Sequence, residues 1–328
     1  MQIKTRQIYR GKTILVSGGT GYVGSSLSNA FSEINCNLLI VSRNSISWTP
    51  DGLNANIQII NGDVSSYEFW EDSIDNVDFI FHLASADDIK DHKREIEVNA
   101  LSMLNILKVC KKKKLSPKIV FSSSANIFGC VESVPVDETF PDKPESIWSI
   151  HKLMVENYLK LYYKQFKIHS VSLRLPNVYG ASPNIKVINR VVINKAIHNA
   201  LNGITLNLYS NGNCIRDYIF IDDLIDALML AGCLKKDLSK GQFYVIGSGE
   251  GIKISNAWML IAQKVSAKTG KNIDVKNDLT FKVNPMEMRN FIANSSTFRN
   301  DTGWTPKINF EKGIEQTIDA VWNSLNNR

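Results

Sequence analysis

Short apolar runs alternate with longer amphipathic stretches through the first half of the chain. The runs predict strands at 13–16, 37–41, 57–60, 77–83, 118–121 and 170–175. Between them, apolar residues recur at helical spacing, for example at Val98, Leu101 and Leu104. Helices are predicted over 22–34, 95–114 and from about 146. Because strands and helices alternate, the pattern predicts an α/β fold with a doubly wound parallel sheet.

A glycine-rich turn joins the first predicted strand to the first predicted helix. Gly18, Gly21 and Gly24 stand at three-residue steps in this turn. At that spacing the missing side chains permit a tight turn, close approach of the backbone to a pyrophosphate, and close packing of helix on strand. The free N–H groups at the start of the helix would hold the phosphates. A plain βα turn is the alternative, but the strand-turn-helix context favours a Rossmann-type dinucleotide-binding domain.

The pattern changes after residue 175. Short strands are predicted at 205–209, 216–220 and 242–246, between helices over 187–202, 222–234 and 255–269. We expect residues 1–175 to form the dinucleotide-binding domain and residues 176–328 to form mostly a smaller mixed α/β lobe that binds substrate. A segment at about 215–235 is expected to return to the first domain. The substrate would then lie in the cleft between the two parts.

Composition and charge narrow the function classes. The 328 residues are 44% hydrophobic and 21% charged, which is typical of a soluble globular protein. The five cysteines are scattered without Cys-x-x-Cys spacing, so we expect neither a metal site nor a disulfide framework. No segment approaches the roughly 18 apolar residues of a membrane span, and residues 1–10 lack the apolar core of a secretory signal. A cytoplasmic protein without a membrane partner is expected.

The formal net charge of +6 suits an anionic cofactor and an anionic substrate. The basic run at 111–114 ends a predicted helix, where cations favour the helix dipole. We interpret it as a solvated helix end, so no nucleic-acid partner is expected.

The residues that follow the second predicted strand bear on the choice of cofactor. An NAD-preferring domain usually places Asp or Glu there for the ribose 2′-hydroxyl, whereas this chain has Ser42 and Arg43. A hydroxyl and a guanidinium suit a 2′-phosphate, so NADP(H) is favoured over NAD(H). Alternatively, Arg43 is a loop residue that stacks on adenine. Asp63, after the third strand, is a candidate acceptor for the adenine amine.

Motifs along nearly the whole chain resemble the extended short-chain dehydrogenases that act on nucleotide sugars, the group of UDP-galactose 4-epimerase and sugar-nucleotide 4-ketoreductases. In order, they are VSGGTGYVG, NGDV, FHLAS, VNALSMLNIL, FSSSANIFG, KLMVENYL, SLRLPNVYG, GNCIRDYIFIDDLIDAL and GWTPKINFEKGIEQTI. Each motif is modest, but their order and spacing together are specific. The resemblance implies a nicotinamide cofactor, a nucleotide-sugar substrate, and a homodimer formed through residues 95–114 and 146–164.

The resemblance also implies a catalytic set of Ser or Thr, Tyr and Lys. In such enzymes the Tyr is the general acid/base toward the sugar oxygen, while the Lys binds the nicotinamide ribose and lowers the Tyr pKa. The hydroxyl position corresponds to Ser124 and the lysine to Lys152. The tyrosine position, one helical turn before Lys152, holds Trp148. An indole N–H only donates a hydrogen bond and cannot exchange a proton near neutral pH.

Trp148 leaves three hypotheses open. In the first, another group exchanges the proton, either His151, three residues along the helix, or Ser124 with an ordered water. His151 is alternatively a surface or packing residue. In the second, the chain keeps fold and cofactor but binds without turnover. In the third, the indole serves another purpose in the pocket, such as stacking on the sugar or the nicotinamide.

Two features bear on the reaction. The 4,6-dehydratases of the family carry Asp-Glu directly after the Ser or Thr, and this chain has Ala125 and Asn126, which disfavours dehydration. An epimerase returns its hydride and usually retains NAD, whereas a reductase consumes NADPH. Ser42 and Arg43 therefore favour an NADP(H)-dependent reductase acting at C4 of a nucleotide-activated keto-sugar, in surface polysaccharide or deoxysugar biosynthesis. An NAD-dependent 4-epimerase or dehydrogenase and a non-catalytic nucleotide-sugar or NADP-binding protein are the alternatives.

Further site residues are assigned by their place in the motifs. Expected cofactor contacts are Gly18, Thr20, Gly21, Tyr22, Val23, Gly24, Ser42, Arg43, Asn44, Asp63, Val64, Leu83, Ala84, Ser85, Asn99, Ser122, Lys152, Pro176 and Val178. Expected substrate contacts are Ser124, Asn126, Asn177, Arg216 and Arg289. By the resemblance, Asn177 would meet the substrate diphosphate, and Arg216 would hold a phosphate or the nucleotide ribose. Asn99 alternatively packs or braces an adjacent strand, Arg216 alternatively pairs with Asp217 or Asp222, and Arg289 is alternatively a solvated charge. His82 is expected to be a core histidine.

Overall fold

The structure is a computed structural model that describes residues 2–43, 48–86, 91–209, 212–278 and 288–326. The strands are β1 (Thr13–Ser17), β2 (Asn37–Ser42), β3 (Asn56–Asn61), β4 (Phe79–His82), β5 (Lys118–Ser124), β6 (Ser170–Leu175), β7 (Asn177–Tyr179), β8 (Leu206–Tyr209), β9 (Ile215–Phe220), β10 (Lys240–Val245), β11 (Gly251–Lys253) and β12 (Val275–Asp278). The α-helices are α1 (Gln2–Tyr9), α2 (Tyr22–Ser32), α3 (Tyr67–Ser73), α4 (His92–Ile96), α5 (Ser102–Lys113), α6 (Ile147–Phe166), α7 (Val192–Leu201), α8 (Ile221–Gly232), α9 (Ile254–Thr269), α10 (Ser296–Thr302) and α11 (Phe310–Asn326).

Seven parallel strands form the main sheet, in the order β10-β6-β5-β4-β1-β2-β3. The chain order runs outward in one direction from β1 through β3 and in the other direction from β4 through β6. The order therefore reverses between β1 and β4, which leaves a crevice at the carboxyl ends of these strands. The glycine-rich turn and the loop after β4 both lie at this crevice. The predicted doubly wound sheet is confirmed.

Both faces of the main sheet are covered by apolar clusters. Ile14 and Val16 of β1 belong to one cluster and Leu15 to the other, and all three are fully buried. Successive side chains of a strand point to opposite faces, so a strand covered on both sides is apolar throughout. His82 in β4 is also fully buried, with its ring nitrogens 2.7 Å from Ser17 Oγ and 2.9 Å from Ser102 Oγ, as expected of a core histidine.

One predicted strand lies in a different place from the one we expected. The run at 242–246 was assigned to the smaller lobe, but β10 pairs in parallel with β6 and forms an edge of the main sheet. The return to the first domain thus extends beyond the expected segment at 215–235. Within that segment, α8 packs against α2, β5 and β6. A short apolar run predicts a strand but carries no information on its pairing partner, so the pattern could not distinguish the two sheets.

The remaining strands form two small sheets. One has three strands in the order β11-β9-β7, with β11 antiparallel and β7 parallel to β9, and the other pairs β12 with β8 in parallel. Helices α7, α9 and α11 pack against one another beside these sheets. This arrangement is the smaller mixed α/β part that the pattern predicted.

Helix α6 begins at a capping box. Ser146 Oγ accepts from Ser149 N, and Ser149 Oγ accepts from Ser146 N, each at 3.1 Å. These reciprocal bonds satisfy free donors of the first turn and define where the helix starts. The capped end lies beside the crevice and carries Trp148 and Lys152. None of the helices that the structure describes is both long enough and apolar enough to cross a membrane.

Candidate functional site

The glycine-rich turn after β1 is too tightly packed for larger residues. Gly18 has φ +70°, and a Cβ there would lie 2.8 Å from Ala84 N in the loop after β4. A Cβ on Gly24 would lie only 2.0 Å from Gly18 O. The bare backbone at the start of α2 therefore faces the crevice, and it fits the pyrophosphate of a dinucleotide.

A cavity of about 840 Å³ extends from this turn across the carboxyl ends of the main sheet. It brings together most of the residues assigned from the motifs. Those that line it are Gly18, Thr20, Gly21, Tyr22, Val23, Gly24, Ser42, Arg43, Val64, Leu83, Ala84, Ser85, Ser122, Ser124, Trp148, Lys152, Pro176, Asn177 and Val178. The structure thus gathers side chains from at least five loops around one space.

Some expected cofactor contacts lie elsewhere. Asn44 lies outside the described residues. The Asp63 carboxylate accepts from Arg94 Nη2 and Ser65 N, each at 2.9 Å, and Asp63 is not among the described residues that line the cavity. Burial raises the pKa of Asp63, but the bonds from Arg94 and Ser65 outweigh burial and lower it to about 2. Its carboxylate is therefore engaged with this chain's own donors.

Asn99 lies beneath the cavity and braces the loop after β4. It sits in a π-helical turn, Glu97–Leu101, between α4 and α5, and is 1% exposed. Its side-chain amide accepts from Ala86 N at 2.8 Å and donates to Ala86 O at 2.7 Å. Ser85 Oγ donates to the same Asn99 oxygen at 3.0 Å. Asn99 thus holds this loop, whereas the alternative stated from the sequence was that it packs or braces an adjacent strand.

Several lining residues were missed by the sequence analysis. They are Trp48, Asn184, Lys186, Arg190 and Tyr218. Asn184 Nδ2 donates to Thr20 O at 2.9 Å and so ties the segment before α7 to the glycine turn. Lys186 and Arg190 are cations spaced four residues apart just before α7, and this charge pattern was the available signal. The cavity positions of Trp48 and Tyr218 depend on long-range packing, which no local pattern indicates.

The cavity is electropositive. Arg43, Lys152, Lys186 and Arg190 line it, and among the described residues that form its wall none is acidic. Low-dielectric walls carrying a single sign of charge attract an oppositely charged ligand. The site therefore suits a molecule with several phosphates.

Trp148 and Lys152 meet at the inner end of the cavity. Trp148 Nε1 donates to Ser85 Oγ at 3.1 Å, which places the indole against the loop after β4. Lys152 Nζ donates to Ser122 O at 3.1 Å and lies 4.8 Å from the Phe121 ring centroid and 5.3 Å from that of Trp148. Lys152 is 2% exposed, and burial lowers its pKa to about 8. Trp148 thus covers a buried ammonium group.

His151 faces away from this group. Its Nδ1 lies 3.9 Å from Glu95 Oε1 on α4, and it is not among the described residues that line either cavity. Burial lowers the pKa of His151, with Glu95 opposing and His92 adding to the effect. This position is that of a packing residue, which was one of the two roles considered for His151. The geometry gives no support to the hypothesis that His151 exchanges the proton.

A smaller cavity of about 160 Å³ opens beyond Ser124. Asn126, Arg216 and Arg289 line it, and Arg289 donates to Asn126 Oδ1 while Arg216 donates to Arg289 O. Burial and the nearby Arg216 lower the pKa of Arg289 to about 10. The Asp217 carboxylate in this wall is bonded to the backbone N–H groups of 248, 249 and 293 at 2.8–3.0 Å. A buried and a partly buried guanidinium group in the wall of one small cavity suit an anionic ligand.

Comparison with known proteins assigns the chain to a family. The sequence profile of the NAD dependent epimerase/dehydratase family matches residues 14–247. The chain belongs to this family. The match runs from β1 to the end of β10, and it confirms the resemblance stated from the motifs.

Relatives of this epimerase/dehydratase-family chain cover nearly all of its length. The UDP-glucose 4-epimerase of Azospirillum brasilense is 26% identical over 348 residues, covering 96% of each chain. The dTDP-4-dehydro-6-deoxyglucose reductase of Escherichia coli is 26% identical over 325 residues, covering 95% of this chain and 98% of the other. The Thermus thermophilus UDP-glucose 4-epimerase, solved in complex with NAD, superposes with a TM-score of 0.77 at 25% identity, covering 95% of this chain and 99% of the other. The relatives thus include both 4-epimerases and a reductase.

Proposed function

We propose that this protein is an NADP(H)-dependent reductase that acts at C4 of a nucleotide-activated keto-sugar. The observation that carries the proposal is the continuity of the two cavities. Ser124, Trp148, Pro176 and Asn177 line both of them. A dinucleotide bound along the larger cavity would therefore end where a sugar bound toward the arginines begins.

The chain's own residues would hold the dinucleotide along the larger cavity. The glycine turn would hold the pyrophosphate, and Lys152 would contact the nicotinamide ribose. Ser42 and Arg43 would hold the 2′-phosphate at the end of β2, where Ser42 Oγ lies 3.5 Å from Thr20 Oγ1. The absence of an acidic side chain from the described wall supports NADP(H), because a 2′-phosphate near a carboxylate would be repelled. When bound, the nicotinamide supplies the hydride.

The smaller cavity supports a nucleotide-sugar substrate. Arg216, Arg289 and Asn177 would hold the diphosphate, and Asn126 would lie beside the sugar. The Escherichia coli relative is named as a reductase of a dTDP-linked 4-dehydro sugar, which is the same reaction class.

A 4-epimerase is the second candidate, because the Azospirillum brasilense relative is named as one and covers the chain equally well. A binding protein without turnover is the third, because Trp148 stands where related enzymes have the proton-exchanging tyrosine. We also propose a homodimer through α5 and α6. Ile147, Ile150 and Leu161 are 44–45% exposed and lie on one face of α6, which supports this surface as the interface.

The cofactor preference is tested by titrating the protein with NADPH and NADH while following tryptophan fluorescence. We expect NADPH to bind at least about tenfold more tightly, and Arg43→Ala to remove that preference by weakening NADPH while sparing NADH. Arg299→Ala, an exposed arginine on α10, is the matched control and should change neither affinity.

The reaction is tested by following NADPH absorbance with 4-keto and 4-hydroxy sugar nucleotides. Oxidation of NADPH with the keto-sugars supports the reductase. Tightly retained NAD with interconversion of the 4-hydroxy epimers would instead support the second candidate. Nucleotide binding without any conversion of either substrate would support the third.

A further inference from the structure

In the proposed reaction the sugar oxygen gains or loses a proton. Few side chains at the inner end of the cavity can donate or accept it. Trp148 Nε1 is engaged by Ser85 Oγ, and that hydroxyl donates to Asn99 Oδ1. Ser124 Oγ accepts from Asn126 N at 3.1 Å. An indole or an alcohol does not release a proton near neutral pH without a base. His151 lies against Glu95 and outside the described cavity walls.

Lys152, in contrast, lines the cavity, has unused donors and carries an exchangeable proton. Lys152 lines the cavity, and its Nζ contacts Ser122 O and lies over the Trp148 ring. An ammonium group has three donors, of which Ser122 O takes one. None of the ion pairs among the described residues includes Lys152. Glu156, one turn further along α6, accepts from Arg174 at 2.7 and 3.0 Å and from Ser123 Oγ at 2.6 Å, so its charge is already paired.

No negatively charged group of the described cavity wall stabilises the protonated form of Lys152. From β4 it faces His82, whose pKa falls to about 3 through burial and the nearby ammonium, so this imidazole stays neutral. From β5 it faces Phe121 and Ser122, and the other titratable groups of the same cavity are Arg43, Lys186, Arg190, Tyr22 and Tyr218. None of these side chains is a carboxylate, so none would favour the charged form of the amine. Burial accordingly lowers the Lys152 pKa to about 8.

We propose that Lys152 itself exchanges the proton with the sugar oxygen, in place of the tyrosine that Trp148 replaces. This rests on the proposed function. In reduction, the carbonyl carbon takes a hydride from the reduced nicotinamide, the carbonyl π pair moves to oxygen, and that oxygen takes a proton from Lys152 Nζ. The ketone becomes an alcohol, the dinucleotide is oxidised, and the neutral amine regains its proton from water. In the reverse direction the neutral amine takes the hydroxyl proton.

The first test needs neither cofactor nor turnover. Because Lys152 Nζ lies 5.3 Å from the Trp148 ring, loss of the ammonium charge changes the emission of that indole. Fluorescence of the full chain is followed from pH 6 to 11, and Trp148→Phe identifies the contribution of this residue among six tryptophans. We expect a midpoint near pH 8 that Lys152→Arg removes and Lys164→Arg, on the exposed side of α6, retains. A midpoint above about 10 would overturn the proposal.

The second test uses keto-sugar reduction. The protonated form is the acid, so the rate should fall as pH rises through the Lys152 pKa. Lys152→Arg keeps a cation and its donors but does not release a proton, so we expect kcat to fall about 10²- to 10⁴-fold and the pH limb to disappear. NADPH affinity should stay within about threefold. Lys164→Arg should match the wild type.

Restoring the tyrosine separates proton exchange from mere positioning. If Lys152 is the acid, Trp148→Tyr in the Lys152→Arg background should recover at least about tenfold in kcat, because the phenol then carries the proton. A positioning lysine would leave that double variant as slow as Lys152→Arg. Unchanged kcat and an unchanged pH limb in Lys152→Arg would overturn the proposal, whereas failure of the wild type to bind NADPH would count against the proposed function.

Discussion

Gly24 is packed so closely against the preceding turn that an added methyl group has no space. Its Cβ would lie 2.0 Å from Gly18 O and 2.8 Å from Gly19 Cα. Both neighbours are backbone atoms, so the turn itself would have to move. A moved turn no longer presents its N–H groups to a pyrophosphate.

We predict that Gly24→Ala weakens NADPH binding at least about 100-fold and lowers the free energy of unfolding by about 1 to 3 kcal/mol. Fluorescence titration and urea unfolding measure the two effects. Ser26→Ala on the same helix is the control, since it removes only a 3.4 Å bond to Tyr22 O, and it should change stability by less than about 0.5 kcal/mol. Binding by Gly24→Ala within threefold of the wild type would contradict the prediction.

A buried ion pair joins the elements that carry the site. Arg174 in β6 and Glu156 in α6 are fully buried and form two bonds, while Glu156 also accepts from Ser123 at the end of β5. Asp142 lies 2.7 Å from the same guanidinium, which stacks 3.5 Å from the Phe243 ring centroid of β10. Because α6 also bears Trp148 and Lys152, this network sets the helix against the ends of β5 and β6.

We predict that Arg174→Met lowers the free energy of unfolding by about 3 to 5 kcal/mol, since it leaves the buried Glu156 carboxylate without a cation. Glu156→Met should cost less, since Asp142 still pairs with Arg174. The double variant should cost clearly less than the sum, because neither charge remains. Urea unfolding of the wild type, the two single variants and the double variant gives the coupling free energy between Glu156 and Arg174. Lys268→Met, which breaks an exposed 2.6 Å pair with Asp319, should cost less than about 1 kcal/mol. Strictly additive costs for the buried pair would argue against the network.

At the scale of the whole molecule, the solvent-facing side of α6 carries apolar side chains, where a helix is normally polar. On α6, Ile147, Ile150 and Leu161 face away from the sheet, opposite the buried side that includes Val155 and Leu159. An apolar solvent-facing stripe of this kind is typical of a surface that packs against another chain.

We predict that the wild type is a dimer in light scattering, with twice the 36.8 kDa chain mass, and that Ile150→Glu is a monomer. A carboxylate placed in an apolar interface loses its hydration without gaining a partner, which strongly disfavours association. Met259→Glu, which makes the same kind of change at a 52% exposed residue of α9, should remain dimeric. A monomeric wild type at about 10 µM would contradict the prediction.

Local features of the chain were sufficient to predict the first six strands of the main sheet and the glycine turn. A buried parallel strand is apolar because both its faces are covered, and Gly24 is glycine because its neighbours in sequence leave no room. The apolar run of a strand and the glycine spacing of the turn can each be identified from a few consecutive residues. Helix α1 was not predicted, since residues 2–9 lack a clear apolar periodicity, although Tyr9 buries its ring against Phe31 and donates to Met229 O at 2.6 Å.

Long-range packing settled the features that no local pattern encodes. The sheet to which β10 belongs, the pairing of Asp63 with Arg94, and the cavity position of Tyr218 all depend on residues far away in sequence. The helical spacing placed Trp148, His151 and Lys152 near one another, but the direction in which the sheet and α4 meet α6 turned His151 to Glu95 and Lys152 to the cavity. Periodicity defines which faces a helix has, whereas its neighbours determine what each face meets.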